Sequence, residues 1–578
     1  MKYAKYDNYD KSPAIAVEGR DGAVLAGWDA IARELKARAA GREKTVVAVD
    51  CYAGVNIPRL TEGLVGLNAA VAIDAEACMW PAAELDARLS GYLGEDRVFG
   101  FMCRKPLSWL FDPQKLEAAR KRAAAAPPGI VLVYGAGAGL IARGDVYIYA
   151  DMARWEIQNR YKAGMPNLRA DNGGAPFLSK YKRGYFVEWR MLDGHKKTRL
   201  HDLDYILDTN SDTPKLLRGD TFRAGLEQAA RKPFRLVPYF DPGVWGGQWM
   251  KDVCGLDKSA ANYAWAFDGV PEENSLCLQY GGERVEIPAA DLVFYRPRQL
   301  LGERVHARFG DEFPIRFDFL DTMDGGNLSL QVHPLTEYIQ RAFGMNYTQD
   351  ESYYILDCKD DCYVYLGVKD GVNRDELYAA LQAGQAGKGF DAEKFANKVK
   401  IKKHDHMLIP AGTVHCSGKD AMVLEISATP YIFTFKLWDW GRVGLDGLPR
   451  PTHIDHGIRN VQFDRTPAWV AAELTNRFET LQKTETALVE RTGLHEREFI
   501  ETLRYTVTAP VRVESGNGVN MLNVVDGSAA VVKSPEGRFR PFTAHYAETF
   551  IVPCAAGPYT VEPAVKGEKI SVIRAAVR

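Results

Sequence analysis

Hydrophobic and polar positions follow two different rhythms along this 578-residue chain. Up to about residue 235, short apolar runs alternate with stretches whose apolar positions recur every three or four residues, the spacing that gathers them on one helix face. Trp28-Asp-Ala-Ile-Ala-Arg-Glu-Leu-Lys-Ala-Arg38 has that helical spacing, while Thr45-Val-Val-Ala-Val-Asp50, Gly129-Ile-Val-Leu-Val-Tyr134 and Asp145-Val-Tyr-Ile-Tyr-Ala150 read as strands. Strands alternating with helices predict an α/β layer on a mainly parallel sheet. From about 236 the texture turns to short strands punctuated by Gly, Pro and Asp, as in an all-β region. Within it, Arg374-Asp-Glu-Leu-Tyr-Ala-Ala-Leu-Gln382 and Asp391-Ala-Glu-Lys-Phe-Ala-Asn-Lys398 predict a helical insertion, each opened by acidic residues that suit a helix N-terminus. The run from Pro467 to Arg491 is polar and helix-prone, and strands follow around 503–507, 521–525, 528–533 and 570–573. The expected domains are therefore an α/β domain over 1–235, a β domain over 236–460 with its insertion near 372–400, a helical connector over 461–498 and a C-terminal β unit over 499–578.

Composition narrows the function classes. Apolar residues make up 46% and charged residues 26%, with a formal net charge of −2, so nothing marks a nucleic-acid or anionic-membrane partner, which a basic excess would betray. No segment approaches the ~18 apolar residues of a membrane span, and the first ten residues lack an apolar signal core; the expected location is cytoplasmic. Nine scattered cysteines argue against a disulfide framework, and Cys358 and Cys362 read as structural thiols. The Arg- and Lys-rich stretch 155–235 reads as a solvated face and connector.

The first strand runs into Asp50-Cys-Tyr-Ala-Gly-Val-Asn-Ile-Pro-Arg-Leu60, the place for a phosphate-binding loop. Such a loop needs several glycines, a lysine and a hydroxyl. Here Gly54 stands alone, and Asn56, Ile57 and Pro58 occupy the positions of the rest. The strand order, with Asp145 to Arg154, resembles a uridine-kinase-like fold whose phosphate loop has degenerated. Gly135-Ala-Gly-Ala-Gly139 lacks dinucleotide fingerprint spacing and reads as a tight turn.

The most informative chemistry lies at Gln331-Val332-His333-Pro334. Alternation places Gln331 and His333 on one strand face, half of a metal site. Glu351 and His415, the latter in Ile409-Pro-Ala-Gly-Thr-Val-His415, complete a set of nitrogen and oxygen donors suited to zinc. Glutamine is an unusual ligand. As a neutral donor it leaves the ion more residual positive charge for Lewis-acid work than a second carboxylate would.

These residues, with Val244-Trp-Gly-Gly247, Phe319-Leu-Asp321, Leu328-Ser-Leu-Gln-Val-His-Pro334, Glu351-Ser-Tyr-Tyr-Ile-Leu-Asp357, Val423-Leu-Glu-Ile426 and Trp438-Asp-Trp-Gly-Arg442, resemble the class I mannose-6-phosphate isomerases over about 240–578. The resemblance implies two cupin-type (jelly-roll) β-barrels and a zinc ion on Gln331, His333, Glu351 and His415. It also implies aldose–ketose isomerisation of a sugar phosphate, with Glu425 as proton carrier. Three basic positions of that family differ here: Asp318 and Gln349 stand where lysines are expected, and Lys436 where an arginine is. Lys436 is thus the remaining catalytic cation, Arg316 and Arg442 are candidates to supply the missing charge to the substrate, and Trp245 is a candidate sugar-stacking face. His404 and His406 are read as turn residues. The alternative expectation is a sugar- or metabolite-binding regulator that retains the metal but not turnover.

Overall fold

A computed structural model describes residues 2–428, 433–445, 447, 450–493 and 495–578. The chain forms two compact units, one of residues 1–13, 230–274 and 296–578, the other of 14–229 and 275–295. Among the described residues no helix is long and apolar enough to cross a membrane.

The α/β unit is built on a seven-stranded sheet of β1 (Val24–Ala26), β2 (Lys44–Cys51), β3 (Val71–Asp74), β4 (Gly129–Gly135), β5 (Val146–Asp151), β6 (Tyr205–Asp208) and β7 (Lys215–Arg218), in spatial order β1-β7-β6-β5-β2-β4-β3. The five strands from β6 to β3 are parallel, and β7 and β1 close one edge antiparallel. Burial of β2 from Val47 onward and of all of β5 explains their apolar runs, since strands inside a covered parallel sheet have no polar face. Residues 275–280 and 283–288 return to this unit as a hairpin whose first strand pairs with Ile15–Ala16. The expected boundary at 235 therefore misses a segment that sequence order separates from its partners.

Stretch 155–235 is not the solvated face expected. Lys180, Lys182, Arg183 and Lys196 are all buried, because each has a partner. Arg183 binds Glu188 at 2.7 Å, and the Lys196 ammonium lies 2.8 Å from Asp151 and 2.7 Å from Asp291. Burial would strip Lys196 of its charge, but Asp151 and Asp291 reverse that and hold its pKa above the ordinary lysine value.

The β unit opens with two sheets. The first, of six strands, contains β8 (Tyr239–Asp241), β9 (Trp265–Gly269), β10 (Arg316–Asp321), β12 (Glu351–Cys358), β15 (His406–Ile409) and β17 (Ala421–Ser427), ordered β15-β12-β17-β10-β9-β8. The second, of five, contains β11 (Leu330–Val332), β13 (Tyr363–Val368), β14 (Ala396–Lys400), β16 (His415–Ser417) and β18 (Phe435–Trp438), ordered β14-β13-β16-β11-β18. The insertion helix Arg374–Ala383 forms as expected, capped by Asn373. The second expected helix stops at Phe395, and Ala396–Lys400 becomes β14 because its backbone pairs with β13. The connector is helical only over Pro467–Glu473; Glu479–Lys483 and Ala487–Gly493 are strands of the C-terminal sheet. Burial alternates only over 487–490, a two-residue period too short to read against the polar run before it. That C-terminal part packs six strands and four strands around the buried residues Leu522, Val524, Phe550, Tyr559 and Val572.

Replacing Lys196 by Met leaves two buried carboxylates facing each other. Breaking a buried ion pair from one side costs ~3–5 kcal/mol. A lower urea midpoint for the α/β unit is expected by circular dichroism, and an unchanged midpoint would refute this role.

Candidate metal centre

Gln331 in β11 is paired in register with His415 in β16 on one side and Lys436 in β18 on the other. Cross-strand partners share a face, so one row of the five-stranded sheet carries all three. On the six-stranded sheet two rows run across β10, β17 and β12, namely Arg316, Ser427 and Glu351, then Asp318, Glu425 and Tyr353. The inner faces of the sheets meet where Glu351 reaches the imidazoles. His333 Nε2 lies 2.9 Å and His415 Nε2 2.8 Å from its two carboxylate oxygens, and the potential ligand atoms of these three residues lie within 4.8 Å of one another. All three are essentially without solvent exposure.

Local chain geometry places these groups. The Pro-Ala-Gly turn before His415 depends on Gly412, whose φ of 87° is in the region that favours glycine and whose amide donates to the His333 carbonyl at 3.0 Å. Asp350 takes the Ala411 amide at 2.8 Å, tying the same turn to the start of β12.

The tautomers follow from the second ring nitrogens. His333 Nδ1 lies 2.9 Å from the Phe433 carbonyl and His415 Nδ1 2.8 Å from the Thr413 carbonyl. A carbonyl only accepts, so both Nδ1 atoms carry hydrogen, and in the neutral rings both Nε2 atoms present lone pairs. Lone pairs and a carboxylate then converge, and His333 Nε2 and Glu351 Oε1 are buried without a hydrogen-bond partner. Gln331 completes the group, its amide nitrogen 3.1 Å from His415 Nε2. The two ends of a carboxamide are nearly isosteric, so rotation offers its oxygen at the same place. This donor set fits a divalent cation such as zinc, with backbone carbonyls orienting the imidazoles.

Burial would raise the Glu351 carboxyl, but His333 and His415, when protonated, overcome that and hold it well below the carboxylate range. Glu425 goes the other way, pushed well up by burial, then by Asp318 and Glu351. Gln349 links the two carboxylates. Its Oε1 accepts the Phe433 amide at 2.9 Å, which fixes Nε2 as the donor to Glu351 at 2.9 Å and Glu425 at 3.2 Å. Sequence reading marked Gln349 only as a missing lysine; the bridging role depends on β17, 76 residues away.

The other expected site residues divide. Lys436 is partly buried beside Gln331, and its ammonium carries no hydrogen bond or ion pair among the described residues. Burial, then the nearby Arg450, lowers its pKa to about 7. Arg442 grips Asp439 and donates to the Asn327 carbonyl at 2.8 Å. Arg450, which sequence reading missed because no spacing marks it, binds the other oxygen of Asp439 at 2.6 Å and keeps one buried terminal nitrogen unpartnered. Arg316 does not offer the charge expected of it. Its Nε is bound to Asp318 at 2.9 Å and its terminal nitrogens are buried, because residues two apart on a strand share a face. Trp245 is 1% exposed and meets Trp265 edge-on at 4.6 Å, so it presents no face for a sugar. His406 is a buried strand residue touching Ser352 at 2.9 Å rather than a turn residue.

Over part of its length the chain is similar to mannose-6-phosphate isomerases. Mannose-6-phosphate isomerase ManA of Bacillus subtilis is 26% identical over 237 residues, covering 41% of this chain and 70% of that protein. A mannose-6-phosphate isomerase of Streptococcus mutans is 24% identical over 307 residues, covering 52% and 87%. The crystal structure of the mannose 6-phosphate isomerase from Bacillus subtilis superposes with a TM-score of 0.50 at 18% identity, covering 60% of this chain and 100% of that one, a likeness of fold. Residues 27–231 match a family model described as a domain of unknown function (DUF8485).

Wild-type protein prepared with zinc should hold about one equivalent by elemental analysis, and Glu351→Gln less than half of that, since the substitution replaces the only anionic ligand. Equal metal content in the two proteins would refute the centre.

Proposed function

We propose that this chain is a zinc-dependent aldose–ketose isomerase acting on a sugar phosphate, mannose 6-phosphate to fructose 6-phosphate or a related pair. The observation that carries the reading is the convergence of two oriented imidazole lone pairs on Glu351, and similarity to mannose-6-phosphate isomerases supports the reaction class. Gln331, His333, Glu351 and His415 would hold the ion, which when bound supplies Lewis acidity toward sugar oxygens.

Isomerisation moves a proton between neighbouring carbons through an enediol. Glu425 suits the carrier role, because its raised affinity for a proton keeps the carboxyl protonated at a pH where an ordinary glutamate is charged. Gln349 holds that carboxyl beside Glu351. The substrate's anionic group would lie toward Lys436, Arg442 and Arg450, where three cations surround the one carboxylate of Asp439. Asp318 answers Arg316, so the opposite side of the inner face has no spare positive charge to offer.

The decisive experiment is a coupled assay of zinc-loaded protein with mannose 6-phosphate. Fructose 6-phosphate formation is expected, and none at millimolar substrate would remove this substrate while leaving the metal centre intact. Glu425→Gln should lower kcat by ~10²–10⁴-fold, the usual worth of a general acid–base group, with metal content unchanged. Lys436→Met should raise KM for the phosphorylated aldose more than for its unphosphorylated counterpart, and Lys436→Arg should restore it. Equal effects on both sugars would assign Lys436 another role.

A further inference from the structure

The α/β unit contains a cleft of about 310 Å³ that the isomerase reading does not use. It is lined by residues that follow β2 (Asn56, Arg59), β5 (Glu156, Arg160) and β6 (Asn210, Asp212), and by Trp28. Neighbouring strands β2 and β5 send their connections to opposite sides, β2 onward to β3 at one flank of the sheet and β5 onward to β6 at the other. That is a topological switch point, and in open α/β sheets ligands bind outside the carboxyl ends of the strands there.

Lining chemistry narrows the ligand. Arg160 is committed in three directions, to Glu156 at 2.7 Å, to the Gly54 carbonyl at 2.8 Å and to the Thr209 carbonyl at 2.9 Å, so it builds the floor. Arg59 is ion-paired with Asp212 at the rim. Each arginine thus has its own carboxylate, and the cleft carries no surplus charge. The sheet's anion-binding backbone is also taken. At the cleft itself Asn56 Oδ1 accepts the Arg59 amide at 3.1 Å and Asp208 accepts the Asn210 amide at 2.9 Å, and at the glycine turn after β4, outside the cleft lining, Asp50 accepts the amides of Gly137 and Gly139, both at 2.9 Å. A phosphate would find these amides already filled by the protein's own side chains. What the cleft offers is an aromatic ring held in place and a rim of planar polar groups. The Trp28 ring lies on Gly63, where a Cβ would come within 2.1 Å of it, so the missing side chain fixes the indole. Its volume is at the lower end of the ~300–1,000 Å³ of small-molecule clefts, room for one ring rather than a dinucleotide.

We propose that this cleft binds an uncharged monosaccharide, its ring against Trp28 and its hydroxyls on Asp212, Arg59 and Asn56. Paired carboxylate and guanidinium groups offer acceptors and donors together, which suits vicinal hydroxyls that both give and take hydrogen bonds. The site is separate from the metal centre and does not depend on the isomerase reading.

The test is calorimetric titration of full-length protein with glucose, mannose, fructose and ATP. A His333→Ala/His415→Ala variant removes any binding at the metal centre. At least one hexose is expected to bind that variant as it binds wild type, with Trp28→Ala weakening it by about tenfold or more, Asp212→Asn weakening it too, and Trp28→Phe retaining it. Turnover of the isomerase substrate should be unchanged in Trp28→Ala, and its circular dichroism spectrum should match wild type. Hexose binding unaffected by Trp28→Ala, no hexose binding by either protein, or ATP binding that Trp28→Ala abolishes would each overturn the proposal.

Discussion

Everything at the candidate centre depends on two hydrogen bonds that do not touch it. His333 and His415 each spend Nδ1–H on a backbone carbonyl, of Phe433 and Thr413 respectively, and this decides that both Nε2 atoms face Glu351 as acceptors. Turning either ring over would put N–H toward the carboxylate and make an ordinary hydrogen-bonded pair with no need of an ion. Backbone carbonyls cannot donate, so the tautomer is fixed more rigidly than a hydroxyl or amide partner would fix it. The cost is a pair of buried, unpartnered atoms, His333 Nε2 and Glu351 Oε1, and a buried polar atom without a partner is expensive enough to demand an explanation. A cation supplies one.

Around that centre the inner faces are electrically divided. The six-stranded sheet contributes three carboxyl groups, Asp318, Glu351 and Glu425, against one guanidinium already bound by Asp318. The five-stranded sheet contributes Lys436, with Arg442 and Arg450 close behind it on Asp439. Crowded carboxyls raise the proton affinity of Glu425, and crowded cations lower that of Lys436 to about 7. Both shifts have burial as their first cause and like charge as the next. One inner face thus gathers carboxyl groups and the other gathers cations.

What could be read in the chain beforehand tracks the range of the interactions involved. Gln331 and His333 could be picked out because strand alternation is local, and Glu351 and His415 because the motifs around them resemble those of the mannose-6-phosphate isomerases. Asp318 and Gln349 were legible as departures, yet the consequences were not: Arg316 is neutralised by a neighbour two residues away, whereas Gln349 bridges to a strand 76 residues on. Buried Lys196 was unreadable for the same reason. A lysine run looks solvated until Asp291, 95 residues downstream of Lys196, is brought to it. The strands at 479–483 and 487–493 were missed because their composition is polar and their partner strand supplies the order.

The α/β unit satisfies its glycine-rich turn from within. A glycine-rich turn at the carboxyl edge of a parallel sheet leaves backbone amides that must be satisfied, ordinarily by a ligand's oxygens or by water. Here Asp50 and Glu76 do it from within. Asp50 also takes Tyr147 and His195, at 2.8 and 2.7 Å, so four donors hold one carboxylate and the turn is stable with nothing bound. Once the protein's own anions occupy that cradle, repulsion and lost hydrogen bonds disfavour a phosphate there. Phosphate at this turn is therefore disfavoured by the geometry, and the separate cleft that follows β2, β5 and β6 presents paired, net-neutral walls.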